Sequence, residues 1–223
     1  MNGGGAAGGA PRHLVVLTGA GISRESGLAT FRDGDGLWAG HRLEDVCTPA
    51  GFARDPAGVQ AFYNARRAEL LAPAIAPNAA HLALARLEAA WAGDFLLVTQ
   101  NCDDLHERAG SRRVLHMHGE YLRSRCQDCG QVAACRGDLG AGSRCPGCGS
   151  VGRLRPHVVW FEEVPLGLPQ IARALAACHL FVAVGTSGHV FPAAGFVEQA
   201  RAAGADTLEL NLAPSRVASR FAA

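Results

Sequence analysis

Phe95-Leu96-Leu97-Val98-Thr99-Gln100-Asn101-Cys102-Asp103-Asp104-Leu105-His106 is the stretch on which the fold turns. Four apolar residues run directly into a hydroxyl, two amides and two carboxylates. An uninterrupted apolar run suits a strand of a parallel sheet covered on both faces, and ligands of such sheets bind beyond the carboxyl ends of the strands. A second apolar pair, Val114-Leu115, leads into His116-Met117-His118-Gly119 and adds imidazoles able to move protons near neutral pH. A plainer reading stands beside this one: Asn101 and Asp103 cap the next helix, and His116 or His118 are satisfied core residues. Capping does not explain why two amides, a carboxylate and a histidine converge at two neighbouring strand ends.

Outward from this stretch, short apolar runs alternate with Ala-rich or amphipathic segments, the pattern of parallel strands joined by crossover helices. Strands are predicted over 13–17, 95–98, 114–116, 179–184 and 207–210. Helices are predicted over 21–27, 56–71, 78–90, 168–177 and 192–203, with Asn78 as an N-cap. Leu14-Val15-Val16-Leu17-Thr18-Gly19-Ala20-Gly21-Ile22-Ser23 reads as a strand entering Gly-x-Gly and a helix, which would aim backbone N–H groups at a pyrophosphate. Arg24 stands where a third glycine is usual, so by itself this string serves an ordinary strand–turn–helix equally well. Gly185-Thr186-Ser187-Gly188 and Asn211 follow two other strands and offer hydroxyl and amide groups suited to ribose and phosphate.

The 223 residues include eight cysteines. The amino terminus lacks a basic start and an apolar core, so it is not read as a signal peptide. No apolar run approaches the roughly 20 residues needed to span a bilayer. A soluble, cytoplasmic protein is expected, with residues 1–10 a flexible tail and the cysteines serving as metal ligands or buried thiols rather than disulfides. Cys126-x-x-Cys129 and Cys145-x-x-Cys148 have the spacing of a four-thiolate zinc site, with Gly130, Gly147 and Gly149 allowing the turns. Four protein ligands leave no open position, so the zinc would be structural. Cys135 is a bystander, and Cys47 and Cys178 read as small buried residues. A net charge of +1 gives no field to attract nucleic acid.

Taken in order, these strings resemble the sirtuin family of NAD-dependent protein deacylases. The matches are Gly19-Ala20-Gly21-Ile22-Ser23 with Glu25-Ser26-Gly27 and Thr30-Phe31-Arg32, then Thr99-Gln100-Asn101-x-Asp103 with Leu105-His106. His118-Gly119, Pro156-His157-Val158-Val159-Trp160-Phe161, Gly185-Thr186-Ser187 and Asn211 complete the series. The resemblance implies an α/β fold: a Rossmann-like parallel sheet with helices on both faces, formed by residues 11–120 and 156–223, with a small zinc-ribbon module inserted at 121–155. Ala61-Phe62-Tyr63-Asn64-Ala65-Arg66-Arg67 resembles the bacterial CobB-type subgroup that removes malonyl and succinyl groups. There the matching Tyr63 and Arg66 bind the acyl carboxylate, and a phenol and a guanidinium can hold a carboxylate that an apolar channel would reject. A solvated helix face is the alternative for this pair.

The family's chemistry consumes NAD as a co-substrate: the acyl oxygen attacks C1′ of the ribose as nicotinamide leaves, and the acyl group ends on ADP-ribose. By matching position His118 is the general base, Asn101 and Asp103 line the nicotinamide pocket with Ala20 and Ile22, and Gln100 meets the ribose. Phe31 shields the reacting face and Arg32 lies by the phosphates. Ser23, Gly185, Thr186, Ser187 and Asn211 hold the adenosine and diphosphate, beside the Gly19–Gly21 loop. Residues 157–163, including Val159, Trp160 and Phe161, should form a strand that pairs with the backbone of an acyl-lysine peptide. Two departures carry expectations. Glu162 replaces a glycine expected close to the peptide, and the sequence stops at Ala223, short of the strand and helix that usually follow, predicting weaker NAD affinity. These departures also support an alternative, an NAD or ADP-ribose binding protein with weak turnover. A zinc ribbon that reads nucleic acid gains nothing from the charge.

Overall fold

The computed structural model describes residues 12–28, 37–38 and 40–223. Phe31, Arg32 and the predicted tail at 1–10 lie outside the described residues. The frame is a five-stranded parallel sheet of β1 (Leu14–Thr18), β4 (Phe95–Thr99), β5 (Val114–His116), β9 (Leu180–Val184) and β10 (Asp206–Leu210). Its order is β10-β9-β1-β4-β5. Each of these strands falls within a residue of its predicted bounds at either end.

The apolar runs are buried on both faces, as the sequence requires. Val15, Leu17, Val98, Phe181 and Ala183 face one side, where α6 (Leu168–Ala176) and α7 (Phe196–Ala202) add Ile171, Leu175, Phe196 and Val197. Leu14, Val16, Leu97 and Val182 face the other, against Leu84 of α4 (Ala79–Ala90). Asn78 caps α4 as predicted, its Oδ1 accepting from the Ala80 N–H at 3.0 Å. The helix predicted to begin at residue 192 instead opens with a 3-10 turn at Ala193–Gly195 before α7.

Register fixes where the chemistry can sit. Thr18 is level with Thr99 on one side and Val184 on the other, and Thr99 is level with His116. The carboxyl ends of four adjacent strands therefore form one line. Beyond β1 the chain makes a tight 3-10 helix, Ala20–Ser26, rather than an α-helix, and leaves it through Gly27 at φ +91°.

Several elements have no counterpart in the periodicity. A hairpin pairs β2 (Leu37–Trp38) with β3 (His41–Arg42). Two short helices, α1 (Leu43–Val46) and α2 (Pro49–Arg54), precede α3 (Pro56–Leu70), and α5 (Leu105–Arg108) follows β4. Asp55 caps α3 through the Gly58 N–H at 2.9 Å. A second sheet, antiparallel, has the order β7-β6-β8, with β6 (Gly119–Cys126), β7 (Val132–Ala134) and β8 (Leu154–Val158).

The strand expected over 157–163 forms only at its first two residues. β8 ends at Val158, and Trp160–Glu163 is a turn closed by the Glu163 N–H on the Trp160 carbonyl at 3.1 Å. Glu162 has φ +73° there, the one positive φ among the described non-glycine residues. A left-handed backbone, rather than a close approach, is therefore what a glycine would serve at this position. Because a side chain in this conformation costs roughly 1–2 kcal/mol, partly offset by glycine's greater unfolded-state entropy, Glu162→Gly is expected to raise stability by about 1 kcal/mol. A thermal melt should show a rise of about 2–4 °C, and an unchanged or lower midpoint would contradict the assignment.

Candidate active site

The ends of β1 and β9 interlock through glycine. The Gly19 N–H donates to the Val184 carbonyl at 3.1 Å and the Gly21 N–H to the Gly185 carbonyl at 3.0 Å. A Cβ on either Gly19 or Gly21 would lie 2.8 Å from the Gly185 oxygen, and Gly185 itself has φ +63°. The Ile22 N–H donates back to the Gly19 carbonyl at 3.1 Å. Three loop donors that the sequence offered to a pyrophosphate are thus used by the fold, and the first role of the glycines is to let two strand ends touch. Beside them the Asn211 amide donates to the Thr186 carbonyl at 2.9 Å, which joins the ends of β9 and β10. The Ser187 carbonyl accepts from the Arg216 N–H at 3.1 Å.

Ser23 sits at the centre of a buried polar network. Its hydroxyl donates to Asp103 at 2.9 Å and accepts from the Asn101 amide at 3.1 Å, while the Asn101 amide also reaches the Gly19 carbonyl at 3.2 Å. His81 approaches the same hydroxyl through Nε2 at 3.4 Å. Because His81 Nδ1 receives the Asn78 N–H at 3.4 Å, the neutral ring carries its proton on Nε2 and donates to Ser23. Burial pulls His81 down to about 4, so it is neutral at physiological pH. Next to it His106, brought down to about 3 chiefly by burial, meets Thr18 Oγ1 at 3.0 Å. Burial raises the Asp103 carboxyl, while the Leu105 N–H at 3.1 Å and Ser23 act to keep it ionised.

His116 and His118 grip consecutive carbonyls of the β4 loop. His116 Nδ1 meets the Asn101 carbonyl at 3.0 Å, and His118 Nδ1 meets the Gln100 carbonyl at 3.0 Å. They differ electrostatically. Burial disfavours a charged His116, but Glu107 at 2.8 Å outweighs it and lifts the group above its usual range. Burial lowers His118, with only the Gln100 carbonyl opposing it. A carbonyl on Nδ1 places the proton there, so His118 Nε2 carries the lone pair. That nitrogen has no hydrogen-bond partner among the described residues. Gln100 is itself tied to β1, its N–H donating to the Thr18 carbonyl at 3.0 Å.

Tyr63 and Arg66 lie on α3 around a third side chain that no local sequence signal marks, Tyr121. The Tyr63 and Tyr121 rings are 6.2 Å apart, and the Arg66 charge acts on the Tyr121 hydroxyl. Tyr63 is only 1% exposed; its Oη accepts from the Trp160 indole at 2.9 Å and lies 3.6 Å from the Cys47 sulfur. Arg66 Nε is 3.2 Å from Glu69 yet has no aligned hydrogen bond. Cys102 packs against the same cluster and donates to the His118 carbonyl at 3.4 Å. In the segment after β8, Val159 N–H donates to the His118 carbonyl, Trp160 N–H to Glu163 and Phe161 N–H to the Cys47 carbonyl, all at 2.8–2.9 Å. A peptide laid along it would meet carbonyl oxygens, not main-chain donors.

Cys126, Cys129, Cys145 and Cys148 converge with all four sulfurs within 4.8 Å of one another. The Cys126–Cys148 and Cys129–Cys145 pairs are each 3.7 Å apart. Four sulfurs about 2.3 Å from a tetrahedral zinc stand about 3.8 Å apart, so the thiols fit that ion. Gly130 and Gly149 turn the two knuckles with φ +74° and +77°. Cys135 stays outside the cluster, its thiol on the Gly137 carbonyl.

Comparisons with known proteins agree with this arrangement. The model of the Sir2 family matches residues 19–192. An NAD-dependent protein deacylase of Salmonella typhimurium is 60% identical over 208 residues, covering 93% of this chain and 76% of that protein. The protein of the same description from Escherichia coli K12 is 60% identical over 209 residues, 94% of this chain and 75% of its own. Among solved structures, a Sir2 homologue in complex with NAD superposes with a TM-score of 0.83 at 38% identity, covering 93% of this chain and 81% of that one. A Sir2 complex with a p53 peptide and NAD superposes at 0.80 with 28% identity, covering 95% and 86%.

The sulfur geometry predicts about one zinc per chain by metal analysis. Cys145→Ala is expected to lose that zinc and lower the melting temperature by several degrees, because metal binding here contributes to folding. A wild-type protein purified without zinc and equally stable would contradict this.

Proposed function

The chain belongs to the Sir2 family, and we propose that it is an NAD-dependent protein-lysine deacylase that removes succinyl and malonyl groups, and acetyl groups as well. The products are nicotinamide, the free lysine amine and O-acyl-ADP-ribose. The observation that carries the reading is His118 with Nδ1 on the Gln100 carbonyl and Nε2 left with its lone pair, beside Asn101 and Asp103 at the ends of parallel strands.

NAD, when bound, supplies an electrophilic ribose carbon with nicotinamide as the leaving group. The protein's own residues do the remaining work. Asn101 and Asp103, oriented by Ser23, present an amide and a carboxylate to nicotinamide, with Ala20 and Ile22 beside them. A fixed carboxylate and amide dipoles suit positive charge developing at the ribose carbon better than a nucleophile would. Gln100 faces the ribose, and His118 Nε2 takes the proton of a ribose hydroxyl. Gly19, Gly21, Gly185, Thr186, Ser187 and Asn211 hold the adenosine and diphosphate; Phe31 and Arg32, which lie outside the described residues, are assigned to the reacting face and the phosphates by the family match alone. Acyl-lysine proteins lie along Val159–Phe161. Residues 11–120 and 156–223 act as the NAD-binding domain, 121–155 as the zinc-holding module, and the cytoplasm is the place of action. No helix among the described residues is long and apolar enough to cross a membrane.

Tyr63 and Arg66 support the acidic-acyl preference. A phenol held by the Trp160 indole, beside a guanidinium whose Nε has no aligned hydrogen bond, suits a carboxylate at the inner end of a lysine channel. Charge-assisted hydrogen bonds contribute about 1.5–3 kcal/mol each. The pair Tyr63→Phe and Arg66→Met is therefore expected to lower the succinyl-to-acetyl ratio of kcat/KM about a hundredfold, read by mass on matched peptides. An unchanged ratio would remove the carboxylate role.

A base must be neutral to accept a proton, and burial lowers His118 from its ordinary 6.5. The rate is expected to be level around pH 7 and to fall only below pH 6.5. His118→Ala should cost at least about a hundredfold. An acid limb centred above pH 7, or full activity in the variant, would exclude His118 as the base.

A further inference from the structure

Helix α3 presents two different stripes. Gln60, Asn64 and Arg67, spaced i, i+4 and i+7, lie on one side of it, and all three hydrogen-bond the backbone of the segment that carries the four cysteines. Gln60 Nε2 donates to the Leu154 carbonyl at 3.0 Å. The Asn64 amide clasps Leu139 in both directions, Nδ2 donating to its carbonyl and Oδ1 accepting its N–H, each at 2.9 Å. Leu139 and Leu154 in turn share a small buried cluster with Cys126 and Cys145 of the zinc site. Asn64 Oδ1 also accepts from Nη1 of the buried Arg67 at 2.9 Å, and Arg67 donates from Nε to the Tyr121 carbonyl at 2.9 Å and from Nη1 to the Gly137 carbonyl at 3.2 Å. The next stripe of the same helix carries Arg66 and Tyr63, whose ring lies 6.2 Å from that of Tyr121.

We propose that Asn64 is a positioning residue that couples the zinc cluster to Arg66, so that zinc held by the four cysteines and an acidic acyl group held at α3 strengthen each other. This rests on the reading of Arg66 as the group that meets the acyl carboxylate. Between residues 121 and 155 Leu139 and Leu154 are the only aliphatic side chains that are buried, so the order of this segment depends on its metal. Leu139 is where that order reaches α3. An amide carries both a donor and an acceptor, so Asn64 pairs with Leu139 as a strand would and keeps a lone pair for Arg67. Arg67 then holds the Tyr121 carbonyl, which fixes the start of β6 beside the stripe that carries Arg66. An acyl group that orders Arg66 against this wall draws on the contacts that seat Leu139, and linkage makes the effect equal in both directions.

The first test needs no substitution. Zinc affinity of the full chain is measured at equilibrium by competition with a chromogenic chelator, without NAD so that nothing turns over, in the presence of a succinyl-lysine peptide or the matched acetyl-lysine peptide. The succinyl peptide is expected to tighten zinc about fivefold more than the acetyl peptide does. Asn64→Ala is expected to bind zinc about tenfold more weakly, the scale of its lost hydrogen bonds, and to lose the difference between the peptides. With NAD, its succinyl-to-acetyl ratio of kcat/KM should fall about fivefold through KM for the succinyl peptide. Gln60→Ala, which frees the Leu154 carbonyl but leaves Asn64 and Arg67 in place, should weaken zinc yet keep the peptide difference. Equal zinc affinity with both peptides in the wild type, a difference that survives in Asn64→Ala, or one lost equally in Gln60→Ala overturns the proposal. Arg66→Met separates this from the carboxylate reading. If it lowers the succinyl-to-acetyl ratio while any of those results is found, the coupling is wrong and the carboxylate site stands. If it leaves the ratio unchanged, the carboxylate site itself is wrong and the proposal falls with it.

Discussion

One hydroxyl, Ser23 Oγ, holds the carboxyl edge of the sheet together. It lies just past β1, donates to Asp103 and receives Asn101 from beyond β4, and receives His81 from α4. Three separate segments thus agree on one point in a buried setting, where an unsatisfied polar group costs about 1–3 kcal/mol. The network can be fully satisfied only if His81 is neutral with its proton on Nε2, and burial supplies that condition. Asp103 and Asn101 are then held at fixed positions although both lie in loop backbone just past β4.

The parallel register extends this local order across the sheet. Thr18, Thr99, His116 and Val184 stand level, and the glycine contact between β1 and β9 closes the gap between two loops that both carry polar groups. Two histidines two residues apart then take opposite electrostatic roles. Glu107 favours the charged His116, a fixed anchor on the Asn101 carbonyl, while burial favours the neutral form of His118, which has no carboxylate partner among the described residues. Proximity to a carboxylate, not residue type, separates the two imidazoles electrostatically.

Much of this is legible in the sequence because the deciding signals are local. The apolar runs at 95–98 and 180–184 mark strands buried on both faces, and Cys-x-x-Cys spacing marks a metal cluster whose sulfurs do converge. Asn78 announces its cap three residues before His81. What escapes is held by contacts between distant residues. The Trp160–Tyr63 hydrogen bond joins positions 97 apart, and nothing near Trp160 in the sequence points to it. Tyr121 joins the Tyr63 cluster because α3 packs against β6, while Cys47 and Cys102 reach it from the segments after α1 and β4. The strand expected over 157–163 is cut short for a physical reason of the same kind: Glu163 folds back to accept the Trp160 N–H and to hold Arg155, so extension stops at Val158. Gly-x-Gly is a lesson in the other direction, since its donors are used between strands before any phosphate arrives.

The proposed activity is the use of NAD to move an acyl group from lysine to ADP-ribose at these strand ends. Mass analysis of products from a succinyl-lysine peptide, with and without NAD, tests it most directly. Nicotinamide, free-lysine peptide and O-succinyl-ADP-ribose are expected in equal amounts, with no reaction without NAD. Free succinate released in the absence of NAD, or NAD left intact beside unchanged peptide, would contradict it.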